Sequence, residues 1–141
     1  LAQASQAGVE IDLVVRGACA LRPGVPGYSE NVRVRSILGR FLEHHRIWYF
    51  ENDGKPDVWL TSADWMGRNL FKRIEVAFPV RDPEARRRVV DEGLNMCLAD
   101  NRDAWQLGAD GSWTKTAPRG RARGRSAQAE LLARLQASAE H

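Results

Sequence analysis

The spacing of apolar residues changes several times along the chain, and each change marks an element. Leu1 to Ala7 reads as the end of a helix stopped by Gly8, and Val9 to Arg16 (VEIDLVVR) as a strand rich in β-branched residues. GACALRPGVPGYSEN, interrupted by glycine and proline, predicts a loop. Val32 to Leu38 is a second strand, because Val34 and Ile37 fit no helical stripe. Arg40 to His45 is a short turn. Arg46 to Glu51 (RIWYFE) is apolar on both faces, the pattern of a central strand. Asn52-Asp53-Gly54-Lys55-Pro56 turns the chain, and Val58 to Thr61 returns as the partner strand.

Arg73 to Val80 (RIEVAFPV) is a further strand. Asp82-Pro83-Glu84 opens a helix, with an N-cap followed by proline in the first turn. Val90, Leu94 and Cys97/Leu98 form the stripe that seats this helix on a sheet. Ala104 to Leu107 and Trp113 to Thr116 flank Ala109-Asp110-Gly111-Ser112 as a small hairpin. RGRARGR (Arg119 to Arg125) is a basic linker, and Ser126 to Ala137 a terminal helix capped by Ser126. No internal repeat is visible. The sum is an α/β fold, a mixed sheet with flanking helices, and 141 residues suffice for one domain with a core but hardly for two.

Composition narrows the setting more than the function. A hydrophobic content of 43% is that of a globular chain, and no apolar run approaches membrane-spanning length. The N-terminus lacks the basic-then-apolar order of a secretory signal. Cys19 and Cys97 form no CxxC pair or metal-finger spacing, so a reduced, cytoplasmic setting is expected. The chain has no initiator Met, which suggests the C-terminal piece of a longer polypeptide whose active site is shared. A net charge of +3 is not that of a polycation. All but Lys55, Lys72 and Lys115 of the 21 basic residues are arginine. Arginine suits bidentate phosphate binding, but coding bias produces the same ratio, so composition decides nothing here.

The stretch Phe41 to Asn69 carries the candidate chemistry. It places His44 just before a strand, Arg46 two residues later, and Ser62, Asp64, Arg68 and Asn69 after the return strand. Imidazole exchanges a proton near neutral pH, and guanidinium grips phosphate oxygens in a planar fork. In a strand His44 and His45 would point to opposite faces, which pairs His44 with Arg46. Taken alone, His44 would more ordinarily be a partly buried histidine bonded to a carbonyl. Arg16 ends a strand where functional groups of α/β sheets gather, although an arginine there can also simply cap the sheet edge. Asp64 is either a helix N-cap or a carboxylate orienting His44 or an arginine. Trp48, Trp59 and Trp65 read as core. GACALRPG lacks the Gly-Lys-Ser/Thr of a Walker loop, and no His/Cys/carboxylate cluster has metal-site spacing. Arg119 to Arg125 is ordinarily a solvated linker, and in its sharper reading an electrostatic tether for a polyanion.

Several longer strings make the chain recognisable: VRG-x-C-x-LRPG, SEN-x-R-x-x-S, GRFLEH, and SSADWM-x-RN with Thr61 in place of the first serine. From Ile11 to Val80, and more loosely to the basic tail, the chain resembles the last catalytic domain of polyphosphate kinase, the family whose two C-terminal domains are phospholipase-D-like. The resemblance implies a phospholipase-D-like half-domain over residues 1–118. Residues 119–141 would add a basic linker and C-terminal helix to the same domain. It also implies an ATP:polyphosphate phosphotransferase acting reversibly through a phosphohistidine on the preceding domain. His44 falls on the family's GRFLEH histidine, a general acid/base or charge stabiliser. Arg16 falls on the VRG arginine that contacts nucleotide phosphates. Ser62 and Asp64 occupy places where phospholipase-D-like enzymes hold the histidine and phosphate, with Arg46, Arg68 and Asn69 supporting.

Implied partners are ATP/ADP, polyphosphate and the remaining domains, in a homo-oligomer; Mg²⁺ would arrive with ATP, and its ligands would lie outside this chain. The full-length form could also associate with a membrane. Nucleic acid is not an expected partner. The phosphorylated histidine has no counterpart among these residues, so the isolated chain is expected to be catalytically silent. The alternative is a module that binds phosphate, polyanion or nucleic acid without catalysis. A histidine phosphodiesterase or nuclease is disfavoured, since Arg46 stands where the usual His-x-Lys pattern has lysine.

Overall fold

A computed structural model describes residues 1–139. Residues 140 and 141, the end of the expected tail segment, lie outside the described residues. The chain forms two compact units, Leu1–Glu43 with Cys97–His141, and His44–Met96.

The first unit is built on a mixed four-stranded sheet in the order β1-β2-β6-β7. Helix α1 (Ala2–Gln6) leads to β1 (Ile11–Val14), which pairs in parallel with β2 (Val32–Ile37). The antiparallel strands β6 (Ala104–Leu107) and β7 (Trp113–Lys115) follow. Val32, Val34 and Ile37 on β2 are buried with Ala104, as expected of a central strand. The register sets Asp12 opposite Arg33, whose guanidinium grips both Asp12 oxygens at 2.8 Å and holds that carboxyl below its usual value. The Gly/Pro-rich connection is ordered by hydroxyls. Buried Ser29 donates to the Arg22 carbonyl, and buried Ser5 accepts from the Asn31 N–H at 3.0 Å.

Buried Asp100 organises the end of this unit. Its Oδ1 accepts the N–H groups of Arg102, Asp103 and Ala104, and its Oδ2 accepts that of Ala127 at 2.7 Å. Asp100 thereby caps α5 (Ala127–Ala139) from a distant loop, alongside the expected Ser126 cap on Ala129 N–H. One carboxylate thus ties the terminal helix to the connection that leads into β6.

The second unit contains an antiparallel sheet, β3 (Ile47–Phe50), β4 (Asp57–Thr61) and β5 (Ala77–Pro79), in that order. The strands thus divide between two sheets rather than forming one. β3 is an edge strand and β4 the central one, which corrects the assignment drawn from RIWYFE. Tyr49 and Phe50 are exposed, so apolar content overstated the burial of β3. The β3–β4 turn places Asn52, Asp53 and Gly54 at φ of 49°, 53° and 78°. Asn, Asp and Gly are the residues that tolerate this left-handed backbone.

The broad strand expected from Arg73 shrinks to three residues. Before it lies α2 (Gly67–Lys72), a helix expected only in one reading of Asp64, which begins later, with Met66 at its N-cap. Helix α3 (Pro83–Arg88) begins as expected, with Asp82 accepting the Ala85 N–H at 2.7 Å. It runs into a π-helical segment, Val89–Asn95, and then α4 (Met96–Ala99), where the chain re-enters the first unit. Gly93 explains the close approach of the π segment to β3. A methyl group there would stand 2.3 Å from Ile47 Cδ1.

Candidate functional site

The candidate residues fall into both units. In the second unit, His44 is exposed and lies before β3, so strand alternation does not govern it. Arg46 reaches His44 through the backbone: its Nη1 donates to the His44 carbonyl at 3.1 Å. Its Nε donates to Asp64 Oδ1 at 2.7 Å. The Asp64 carboxylate holds the Arg46 guanidinium above its usual pKa. Asp64 thus meets an arginine, one of the partners expected of it. The N-cap position of α2 belongs to Met66, which has no side-chain cap. His45, next along, donates from Nε2 to the Gly93 carbonyl of the π segment at 3.1 Å, an anchoring role.

Ser62 and Asn69 converge on a residue that the sequence did not single out, Glu75. Ser62 Oγ donates to Glu75 Oε2, and Asn69 Nδ2 to Oε1 at 2.7 Å. These two bonds hold the Glu75 carboxyl below its usual value of 4.5, the serine first and the amide second. Ser62 also extends the β4–β5 ladder past its end: its N–H donates to the Val76 carbonyl, while its hydroxyl accepts the Val76 N–H at 3.0 Å. Asn69 is buried and its Oδ1 has no partner among the described residues. Arg68 is exposed on α2. Thr61, where the family string has serine, accepts the Ala63 N–H at 3.1 Å through its hydroxyl, a bond serine could also make. Trp65 is no core residue: it is exposed and meets Trp48 edge-on at 6.2 Å.

In the first unit, Arg16 follows β1, is exposed, and donates from Nη1 to the Glu43 carbonyl at 3.0 Å. It borders a cavity of about 350 Å³ walled by Gly17, Ser36, Leu38, Trp105 and Trp113. The Phe41–Glu43 segment is clamped by buried Gln128 of α5. Phe41 N–H donates to Gln128 Oε1 at 2.8 Å, and Gln128 Nε2 donates to the Phe41 carbonyl and to Glu43 Oε1, each at 2.7 Å. Neither supporting residue stood out along the chain. Glu75 showed only as a charge inside an apolar strand pattern, and Gln128 as one polar residue of a terminal helix.

Among the described residues, no three His, Cys, Asp or Glu side chains gather as a metal site, and no helix is long and apolar enough to cross a membrane.

The described residues form a two-sheet α/β fold whose second unit carries an exposed histidine beside a carboxylate-bound arginine. Residues 1–128 match the model of "Polyphosphate kinase C-terminal domain 2", and the chain belongs to that family. It is 60% identical over 135 residues to a polyphosphate kinase of Burkholderia lata, covering 96% of this chain and 19% of that protein. With the Burkholderia cenocepacia polyphosphate kinase it shares 64% over 115 residues, covering 82% of this chain and 17% of that one. The crystal structure of polyphosphate kinase from Porphyromonas gingivalis superposes with a TM-score of 0.91 at 44% identity, covering 99% of this chain and 21% of that one. The chain thus spans about a fifth of the length of these relatives.

Proposed function

We propose that this chain serves as the C-terminal catalytic domain of an ATP:polyphosphate phosphotransferase with phospholipase-D-like architecture. The observation carrying the proposal is 60% identity to a polyphosphate kinase over 96% of the chain. In this reading the terminal phosphoryl group of ATP passes first to a histidine on a domain outside these residues. The broken bond is that to the ADP oxygen. A terminal oxygen of polyphosphate then takes the group from the histidine, and the sequence runs in both directions. Mg²⁺ arriving with ATP would supply charge neutralisation at the phosphates; among the described residues no three His, Cys, Asp or Glu side chains gather to hold it.

The roles of this chain's own residues follow from their chemistry. His44 exchanges a proton with, or stabilises charge on, the transferring phosphate. Arg16 donates its guanidinium hydrogens to nucleotide phosphate oxygens, a charge-assisted contact worth roughly 1.5–3 kcal/mol. The contacts in the second unit support a positioning role for Arg46. Asp64 fixes Arg46, and Arg46 fixes the backbone at His44. Ser62 and Asn69, bound to Glu75, support the same corner, and Arg68 is an exposed cation available to an incoming anion. Phosphoryl transfer needs positioning and charge neutralisation above all, which such groups provide.

The remaining domains of the polypeptide are partners in this reading, within a cytoplasmic homo-oligomer. The basic stretch and terminal helix belong with residues 1–118, supported by the Asp100 and Gln128 bonds. The isolated chain is silent.

The test follows labelled γ-phosphate from ATP into acid-insoluble polyphosphate in the full-length polypeptide, with His44→Ala beside the wild type. A folded variant reduced by orders of magnitude supports both the activity and the role of His44. An unimpaired variant overturns the role of His44 alone, and a wild type without synthesis overturns the activity.

A further inference from the structure

The basic segment has more structure than a solvated linker requires. Residues 119–125 contain Arg119, Arg121, Arg123 and Arg125 and no acidic residue, a local excess of +4 in a chain whose net charge is +3. The segment is also built as a closed arch. Its ends meet where a methyl group on Gly124 would sit 3.6 Å from Pro118 Cγ. At its tip, Gly120 takes φ +57° and the Ala122 N–H donates to the Arg119 carbonyl at 3.0 Å. At its base, Asn101 Nδ2 donates to the Arg123 carbonyl, and Asn101 Oδ1 accepts the Arg125 N–H at 2.7 Å. The Asn101 N–H donates to the Arg125 carbonyl at 3.1 Å.

Within this frame the guanidinium groups divide into two kinds. Arg125 is paired with Glu130 through two bonds, and that pairing, followed by the charges of Arg123 and Arg134, holds the Glu130 carboxyl below its usual value. Arg119, Arg121 and Arg123 are exposed, and their side chains make no hydrogen bond or ion pair among the described residues. The arch therefore presents three arginines from a fixed backbone, while the Glu130 carboxylate is engaged by Arg125. Ordering the backbone beforehand lowers the entropy lost when a ligand binds.

The chemistry of the arch selects the ligand. Arginine forks match phosphate oxygens in pairs, and a linear polyanion can meet several of them at once. Single-stranded nucleic acid is usually held by aromatic stacking in addition to charge. Residues 117–139 contain no aromatic side chain, so nucleobases find no such platform there. We infer that the arch of residues 118–124 is a docking site for inorganic polyphosphate, using side chains other than Arg16 and His44 and retaining the chain between transfers. This rests on the proposed polyphosphate activity.

The test uses the full-length polypeptide carrying R119Q/R121Q/R123Q, with titrations of labelled long-chain polyphosphate over a salt series. Affinity is expected to fall on the order of tenfold, and the log–log salt slope by roughly two, at ~0.7 per lost contact. Product chains should shorten, while turnover at saturating ATP and polyphosphate stays within about twofold. The corresponding triple lysine variant should retain most of the slope. If the triple glutamine variant does not fold, single substitutions must each lower the slope by ~0.7. Unchanged affinity and slope overturn the inference, as does loss of single-stranded DNA binding with polyphosphate binding intact. A wild type that neither makes nor binds polyphosphate overturns the activity itself. Synthesis by a wild type whose arch variants bind normally overturns only the docking site.

Discussion

At the scale of single residues, the candidate site is organised by carboxylates. Asp64 holds Arg46, and Arg46 holds the backbone at His44. Asp64→Asn should change stability by less than about 1 kcal/mol, as expected of a partly exposed pair. The same change should lower kcat/KM in the full-length polypeptide on the order of tenfold, because the His44 backbone loses its guide. Denaturant unfolding set beside steady-state kinetics separates the two effects; equal losses in both would refute the positioning role. Glu75 gives a pH prediction. Its folded pKa lies below the ordinary 4.5, so its contribution is present above that value and is lost as acid protonates the folded form. Glu75→Gln should flatten this part of the acid limb of a melting-temperature profile. At Cys97, burial pushes the thiol up to about 11, with Glu43 and Asp100 adding to it. Alkylation at pH 8 should therefore reach Cys19 well before Cys97, as peptide mass mapping would show.

At the scale of elements, close approaches decide more than propensity does. Gly39 is the clearest case. A methyl group there would stand 2.3 Å from Gln128 Oε1, which the Phe41 N–H already engages. Gly39→Ala should displace Gln128 from the Phe41–Glu43 segment and cost about 1–3 kcal/mol, read from the urea midpoint. An unchanged midpoint would mean that the clamp shifts freely. Local signals made several elements legible: β2 from its apolar pattern, the β3–β4 turn from Asn-Asp-Gly, and α3 from Asp82-Pro83. The π-helical turn and the shortness of β5 were not legible, and α2 was legible only as one reading of Asp64, with its start misplaced. They depend on which carbonyls and apolar faces neighbouring segments supply. Chain spacing showed Arg46, Ser62 and Asp64 near His44, but Glu75 and Gln128 required the folded contacts.

At the scale of the molecule, one stretch of the second unit is strongly apolar yet exposed. Ile74 is 101% exposed and Phe71 83%, with Trp65, Val76 and Phe78 also open. Exposed apolar surface of this extent is a common mark of an interface. Under the proposed function, the cover would be another domain of the kinase. The isolated chain should therefore bind a hydrophobic dye and self-associate, and Phe71→Ser with Ile74→Ser should reduce both. Dye fluorescence and light scattering would check this. Equal signals from the variant would place the sticky surface elsewhere.

What the sequence determined by itself was what local chemistry can encode. Turns came from Gly, Asn and Asp, helix starts from capping residues, and the α/β class from the order of apolar patterns. Its longer strings also carried the family. The tertiary structure decided which strands share a sheet, which strand is central, and which polar partner each candidate residue takes. Hydrophobic pattern states that a side chain prefers burial, whereas the partner it meets depends on residues brought together from distant parts of the chain. RIWYFE therefore looked central yet forms an edge, and RGRARGR looked like a free linker yet is closed at its base by Asn101.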